Sequence, residues 1–264
     1  MGLAEIAAAF ERARAQGRPA LMPYWSLGYP DAETSLRVIQ AIADAGADLI
    51  ELGVPFSDPL ADGPVIQQAN QIALDRGITL SRCFEIAARA RACGITTPFL
   101  AMGYANPTLA YGQPRYAATW AQVGADGLIV PDLPPEESGT LAQACAENGL
   151  ALVQFTAPTS TEARIRLAAA HATGFIYVVS VAGVTGPRES LAEGLRDYVM
   201  RVKAFAQDKP VVVGFGISTP EHVRTVGEFA DGVIVASALL RYAGQAPDPA
   251  RAAFEFVRKL QYWI

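Results

Sequence analysis

Two carboxylates lie eleven residues apart where an apolar run passes into a proline-rich loop, and both can carry a proton. Glu51 interrupts the run near its carboxyl-terminal end, where burying a charged carboxylate is costly unless it is paired or protonated. Asp62 lies in the loop that follows. A salt bridge for Glu51 and a turn or helix cap for Asp62 are the structural alternatives. Together Glu51 and Asp62 predict an acid/base pair, with one carboxyl of raised pKa on a rigid strand and one on a mobile loop.

A second set of candidates surrounds the apolar run at 175–179. Tyr177 shares a strand face with Phe175 and Val179, so core packing is its default role, although its hydroxyl could also reach a substrate. The glycines Gly183 and Gly186 follow in a loop that they make flexible, as a lid over a site requires.

Small residues follow two later apolar runs. One run ends in Gly214-Phe215-Gly216, and the other ends in Ala236-Ser237. Such residues let backbone N–H groups approach an anion, and a helix that begins at Ser237 would add its positive end. This pattern predicts a phosphate site.

Other chemistries have few residues to carry them. His171 and His222 are the only histidines and are expected to be ordinary surface or helix-end residues. No cluster has the spacing of metal ligands, no histidine suits a nucleophilic triad, and no phosphate-binding Walker loop occurs. We expect no metal.

Composition excludes further classes. The 264 residues are 51% hydrophobic and 18% charged, which fits a buried core and not a disordered chain. The net charge of −5 argues against nucleic acid and anionic membranes as partners. No apolar stretch reaches the roughly 20 residues of a membrane span. Three cysteines without a C-x-x-C motif, and an N-terminus unlike a signal peptide, lead us to expect a cytoplasmic protein.

The candidates must be positioned by a repeated alternation of strands and helices. Eight β-rich runs are separated by segments of helical periodicity, and most runs are continuously apolar, as parallel strands buried on both faces are. Ala-Asp precedes three of them, at 47–48, 125–126 and 230–231. The runs are Leu21–Leu27, Asp48–Leu52, Pro98–Met102, Asp126–Val130, Leu150–Phe155, Phe175–Val179, Pro210–Gly214 and Asp231–Val235.

Eight such units in one chain predict a TIM (β/α)8 barrel, as a single domain over residues 1–264 with an extra N-terminal helix. The competitor is a doubly wound open sheet, which the lack of G-x-G-x-x-G after the first run disfavours. The longest gaps follow strands 2 and 6. Because these gaps belong to the active-site face of a barrel, we expect long loops there.

Five motifs occur in order along the chain, from about Pro23 to Ser237. They are ELGVPFSDPLADGP at 51–64, YANP at 104–107, PDLPPEES at 131–138, SVAGVTG at 180–186 and VGFGIS at 213–218. Together they resemble a known family, the tryptophan synthase alpha subunit, and the first and fourth motifs are highly specific.

The resemblance implies a barrel enzyme, a carbon–carbon lyase that cleaves indole-3-glycerol phosphate to indole and glyceraldehyde 3-phosphate without a cofactor of its own. Its partner would be a beta subunit that carries pyridoxal phosphate and consumes the indole, in an α2β2 tetramer. The family's catalytic residues fall on Glu51, Asp62 and Tyr177. Its substrate-binding residues fall on Tyr24, Tyr104, Thr185, Gly186, Gly214, Phe215, Gly216, Ala236 and Ser237.

The chain departs from the family's pattern at a few positions. Ala236 replaces the usual glycine, so phosphate binding there depends on whether the backbone accepts a Cβ. Val181 stands where many members have Arg. Trp25 and Ser26 are less usual, which could reshape the indole pocket near Tyr24.

Three alternatives stay open. The chain could be a free-standing indole-3-glycerol phosphate lyase without a partner, another phosphate-binding barrel such as an isomerase, or a catalytically silent allosteric subunit. The carboxylate loop argues against the isomerase. Two predicted loops, Pro55–Pro64 and Tyr104–Tyr111, carry apolar residues with no evident core role, and such a solvent-facing patch predicts a partner surface.

Overall fold

Eight parallel strands pair in chain order, and the first also pairs with the last, so the sheet closes into a barrel. The computed structural model describes residues 2–179, 194–214 and 216–261. The strands are β1 Ala20–Ser26, β2 Ile50–Gly53, β3 Phe99–Met102, β4 Gly127–Ile129, β5 Ala151–Thr156, β6 Ile176–Val179, β7 Val211–Gly214 and β8 Gly232–Val235. The predicted TIM barrel is confirmed, and closure excludes the open doubly wound sheet.

Helices surround the barrel on the outside. They are α1 Leu3–Ala15, α2 Ala32–Asp44, α3 Pro64–Asp75, α4 Leu80–Ala92, α5 Ala105–Tyr111, α6 Gln113–Gln122, α7 Gly139–Glu147, α8 Glu162–His171, α9 Leu195–Ala206, α10 Pro220–Gly227, α11 Ser237–Gly244 and α12 Pro249–Gln261. Local chemistry sets several starts: the Asp31 carboxylate accepts the Thr34 N–H at 2.9 Å and caps α2. No helix in the described ranges is long and apolar enough to cross a membrane.

Two connections differ from the expectation of loops. The long gap after β2 holds only a loop at 54–63 and then two helices, α3 and α4. The segment at 104–111 is mostly the helix α5. Pro107 fits its first turn, because a first-turn N–H needs no partner within the helix. The predicted loop after β6 lies outside the described residues.

The beginnings of four strands are held by the same device, which we call a strand clasp. A side-chain oxygen accepts the N–H of a residue at the start of the preceding strand, and the backbone N–H beside it donates to that residue's carbonyl. The pairs are Asp48 with Leu21, Asp126 with Phe99, Thr173 with Leu152 and Asp231 with Val211, with side-chain distances of 2.8, 2.9, 2.7 and 2.8 Å.

The Ala-Asp repeat of the sequence supplies three of these clasps, and each aspartate also meets a cation, namely Arg18, Arg91 or Lys203. Asp126 further accepts the Gly2 N–H at 2.7 Å and so ties down the start of α1. The clasps therefore fasten the amino-terminal end of the barrel, opposite the face that carries the predicted site.

Candidate active site

The two carboxylates occupy the carboxyl-terminal side of the barrel. Glu51 lies on β2 opposite Tyr24 of β1, and its side chain is buried. Its Oε2 atom has no hydrogen-bond partner among the described residues. Asp62 is buried as well, at 3% exposure, although its neighbour Leu60 is 86% exposed. The loop therefore turns one side chain inward and another outward within three residues.

Asp62 is held by Tyr104, which follows β3. The Tyr104 hydroxyl donates to Asp62 Oδ2 at 2.9 Å and accepts the Ala61 N–H at 3.2 Å. The Asp62 carbonyl also accepts from Gln67 Nε2 at 2.8 Å, which joins the loop to α3. Tyr104, which is predicted to bind substrate, therefore also holds the Asp62 carboxylate.

Burial separates the proton affinities of the two carboxyl groups. Burial, and then the charge of Asp62, raises the pKa of Glu51 to about 8. Burial raises the pKa of Asp62 only to about 6, because the hydrogen bond from Tyr104 favours the charged form. At pH 7 Glu51 therefore holds its proton while most Asp62 is ionised. Such a divergence of pKa within one site is typical of a pair that acts as acid and base.

Two buried tyrosines lie beside the carboxylates in matching positions. The Tyr24 hydroxyl of β1 lies over Gly53 of β2, and the Tyr177 hydroxyl of β6 lies over Gly214 of β7. A Cβ at either glycine would overlap the hydroxyl, so both glycines are required by close approach. Burial raises the pKa of both tyrosines, and the charges of Asp62 and Glu51 raise it further.

A chain of polar groups leads from Tyr24 into the wall of the barrel. The Tyr24 hydroxyl lies 3.1 Å from Ser26 Oγ, which donates to Asn70 Oδ1 at 2.9 Å. Asn70 was not among the residues predicted from the sequence. A signal was present, because Asn70 shares the buried face of α3 with Ile66 and Ala73.

The predicted phosphate residues lie at the ends of β7 and β8, which are neighbours in the sheet. Gly216 has a φ of 79°, which favours glycine. Ser237 begins α11 as expected. Ala236 before it has a φ of −114°, so the backbone accepts its Cβ. The predicted residues Thr185, Gly186 and Phe215, and the departure at Val181, lie outside the described residues.

His222 lies at a helix end, which was one of its two predicted positions, but its side chain is buried. It lies in the first turn of α10 with 8% exposure, and its Nδ1 is 3.1 Å from the Gly216 carbonyl and 3.3 Å from Ser218 Oγ. It therefore holds the turn that contains Gly216. No group of three potential His, Cys, Asp or Glu metal ligands occurs in the described part of the chain.

The apolar patch that predicted a partner surface is only partly exposed. Leu60 and Leu109 are 86% and 59% exposed, whereas Tyr104 and Pro59, from the same two segments, are buried. Tyr104 was wrongly expected to be solvent-facing, because its ring packs 5.3 Å from Phe56 and its hydroxyl bonds inward.

Comparison with known proteins identifies the family of the chain. The family model for the tryptophan synthase alpha chain matches residues 10–261. The tryptophan synthase alpha chain of Roseiflexus sp. (strain RS-1) is 50% identical over 261 residues, which cover 98% of this chain and 100% of that one. The solved alpha subunit from Legionella pneumophila superposes with a TM-score of 0.90 at 35% identity, covering 98% of each chain. A Mycobacterium tuberculosis tryptophan synthase structure gives 0.88 at 35% identity, covering 97% of each.

Proposed function

Because the chain belongs to the tryptophan synthase alpha chain family, we propose that it cleaves indole-3-glycerol phosphate into indole and glyceraldehyde 3-phosphate. The observation that carries the proposal is the burial of two carboxyl groups, Glu51 and Asp62, in one site, where burial raises the pKa of Glu51 above that of Asp62. A retro-aldol cleavage needs both, because an acid must protonate the indole ring and a base must accept a hydrogen bond from the indole N–H.

The first step activates the indole ring. Glu51 gives its proton to carbon 3 of the indole and becomes a carboxylate. The positive charge that develops on the ring is shared with the ring nitrogen, whose N–H is donated to Asp62. The charge on Asp62 is already present before the reaction, so it stabilises the cation without rearrangement.

The second step breaks the carbon–carbon bond. The Glu51 carboxylate accepts the proton of the glycerol hydroxyl, whose oxygen forms the aldehyde carbonyl. The electron pair of the broken bond returns to the ring as indole leaves. Glu51 ends protonated, as it began. The buried Tyr177 orients the glycerol chain, and Tyr24 lines the indole pocket.

Remote binding energy positions the substrate. The phosphate would lie against the N–H groups of Gly216 and Ser237, with Gly214, Phe215, Ala236, Thr185 and Gly186 completing the site. An anion at the start of α11 gains from the helix dipole. These contacts hold the reacting carbon near Glu51, which lowers the entropic part of the barrier.

We infer that this chain needs no cofactor, because Glu51 moves both protons. We also infer that residues 1–264 form one domain and that the reaction occurs in the cytoplasm, where the free thiols of Cys83, Cys93 and Cys145 stay reduced. Pyridoxal phosphate is expected only in the partner.

We further infer that a beta subunit docks on the exposed apolar residues of the site face, in an α2β2 tetramer. Leu60 lies two residues before Asp62, so a partner that covers Leu60 contacts the loop that positions the Asp62 carboxylate. Indole release should rise when the chain is titrated with its beta subunit, and Asp58→Ala should blunt the rise. A chain that is already fast and neither binds nor responds would be a free-standing lyase.

Indole release by the isolated chain tests the chemistry. Glu51→Gln keeps the shape of the side chain without an exchangeable acid, and its rate should fall by about 10²–10⁴-fold. Asp62→Asn should also fall strongly. Asp58→Asn, which changes an exposed carboxylate in the same loop, is the matched control. Near-normal turnover in Glu51→Gln or Asp62→Asn would refute the assignment, and a chain without any turnover would be a silent subunit.

A further inference from the structure

The turn that follows β7 is held by a buried side chain from the next helix. His222 lies in the first turn of α10 with 8% exposure, and its own N–H donates to Thr219 Oγ1 at 3.2 Å. Its Nδ1 atom is 3.1 Å from the Gly216 carbonyl and 3.3 Å from Ser218 Oγ. Within the described part of the chain, these two contacts are the hydrogen bonds of residues 216–218. The imidazole ring therefore ties this turn to α10.

The chemistry of the carbonyl group fixes the direction of the contact with Gly216. A carbonyl oxygen only accepts, so the ring must carry a proton on Nδ1 to bond Gly216. The neutral Nδ1–H ring and the imidazolium both meet this condition, so the contact does not depend on the charge of the ring. A ring flipped about its Cβ–Cγ bond would place a carbon beside the two oxygens and lose both hydrogen bonds.

The conformation of Gly216 makes this restraint necessary. Its φ is 79°, and outside its chain neighbours no atom of the described residues lies within 4 Å of the position that a Cβ would occupy. A glycine that nothing packs against keeps much of its conformational freedom. The turn is fixed on one side by Gly214, which ends β7, and on the other side by the hydrogen bond from His222. Because C=O and N–H of a trans peptide point in opposite directions, the Ile217 N–H is directed away from His222.

This turn forms one half of the proposed phosphate site. The other half is the start of α11 at Ser237, where the helix itself directs the free N–H groups. The two halves lie side by side, because β7 and β8 are neighbours in the sheet. An anion gains most from such donors when they are aligned before it binds. At Gly216 this alignment depends on the restraint from α10.

We propose that His222 is a positioning residue of the phosphate site. It acts through the Gly216 carbonyl rather than by contact with the phosphate, and it holds the N–H groups of the turn ready for the anion. The inference deepens the proposed function and rests on it, because the phosphate is that of indole-3-glycerol phosphate. His222 therefore affects binding of the phosphate end of the substrate and not of the indole end.

Binding of glycerol 3-phosphate to the full chain tests this role without the reaction. The titration is followed by ¹H–¹⁵N NMR at the Gly216 and Ile217 amides. His222→Ala removes the N–H that holds the turn, so the affinity for glycerol 3-phosphate should fall by about tenfold, the value of one hydrogen bond. The affinity for indole, which carries no phosphate, should stay unchanged. His171→Ala changes an exposed histidine at the end of α8 and is the matched control, which should bind both probes as the wild type does.

Two further variants separate positioning from a general loss of packing. His222→Asn brings an amide N–H close to the position of Nδ1 and should restore most of the affinity for glycerol 3-phosphate. His222→Leu fills the space of the ring without a donor and should weaken binding as His222→Ala does, which keeps the test available if one variant fails to fold. A ring that only fills space would be replaced by leucine and not by asparagine, and that result would overturn the proposal.

The proton on the ring can be observed separately. In ¹⁵N spectra of the labelled chain at neutral pH, the His222 Nδ1 signal should be that of a protonated nitrogen. The chain has two histidines, so His222→Ala assigns the signals. An Nδ1 without a proton, or equal affinity for glycerol 3-phosphate in the wild type and His222→Ala, would refute the role of His222.

Kinetics connect the turn to the reaction. His222→Ala should raise KM for indole-3-glycerol phosphate by about tenfold and change kcat less, because the phosphate is held in the ground state and the transition state alike. If the wild type bound no glycerol 3-phosphate, the phosphate site of the proposed function and the role of His222 would both fail. If the wild type bound this probe but released no indole, the proposed cleavage would fail while the titration still decided the role of His222.

Discussion

Replacing Glu51 with glutamine should stabilise the barrel while it destroys the activity. The folded chain holds the Glu51 proton up to a pKa of about 8, whereas an unfolded chain releases it near 4.5. The folded state thus binds more protons between these values, and stability falls as pH rises through this window. At pH 7 the penalty is about 3 kcal/mol, and above pH 8 it approaches 5 kcal/mol. Glutamine carries no such penalty.

Urea unfolding of the wild type and Glu51→Gln at pH 5, 7 and 8.5 measures the difference. Their free energies of unfolding should differ by less than about 1 kcal/mol at pH 5 and by about 3 kcal/mol at pH 7. Glu137→Gln, which removes an exposed glutamate, should follow the wild type throughout. Parallel curves for Glu51→Gln and the wild type would show that Glu51 is not a buried, protonated acid, and the mechanism would lose its proton donor.

The remaining predictions concern pH, geometry and the clasps. The pH profile of kcat/KM should be bell-shaped, rising near pH 6 as the loop aspartate ionises and falling near pH 8 as the strand glutamate loses its proton; a flat profile would contradict both roles. Gly214→Ala should displace the Tyr177 hydroxyl and lower kcat/KM by about 10²-fold. Gly139→Ala should leave kcat/KM unchanged, because a Cβ there meets no atom within 4 Å. Equal effects of the two substitutions would refute the close approach of the hydroxyl to Gly214. Asp126→Asn should lower the free energy of unfolding in urea by about 3 kcal/mol, because it leaves the charge of Arg91 uncompensated, and should leave the rate per folded molecule unchanged. An unchanged free energy of unfolding would contradict the role of the clasp.

The barrel strands were predictable because their environment is uniform. A parallel strand between helices is buried on both faces, so β7 and β8 appear in the sequence as short, continuous apolar runs. The eight predicted runs agree with the strands to within two residues at either end. The helix α5 was not predicted, because Asn106-Pro107 is also typical of a turn, and only packing decides between the two.

In the candidate site, residue types were predictable and contacts were not. Glu51 stands out because it is a carboxylate in an apolar strand. Its pKa depends on Asp62, and that of Asp62 on Tyr104, which is 42 residues away in the chain. The link from Ser26 to Asn70 spans 44 residues. Such long-range contacts follow from closure of the barrel and leave no local pattern in the sequence.

The clasps also divide the chain into units that can be cut apart. Each one joins an odd-numbered strand to the even-numbered strand that follows, so the barrel consists of four two-strand modules with one clasp inside each. A chain cut after β2, β4 or β6 keeps both partners of every clasp in the same fragment. A cut between β3 and β4, in contrast, separates Asp126 from Phe99. We therefore expect fragments and circular permutants divided between modules to reassemble more readily than those divided within one.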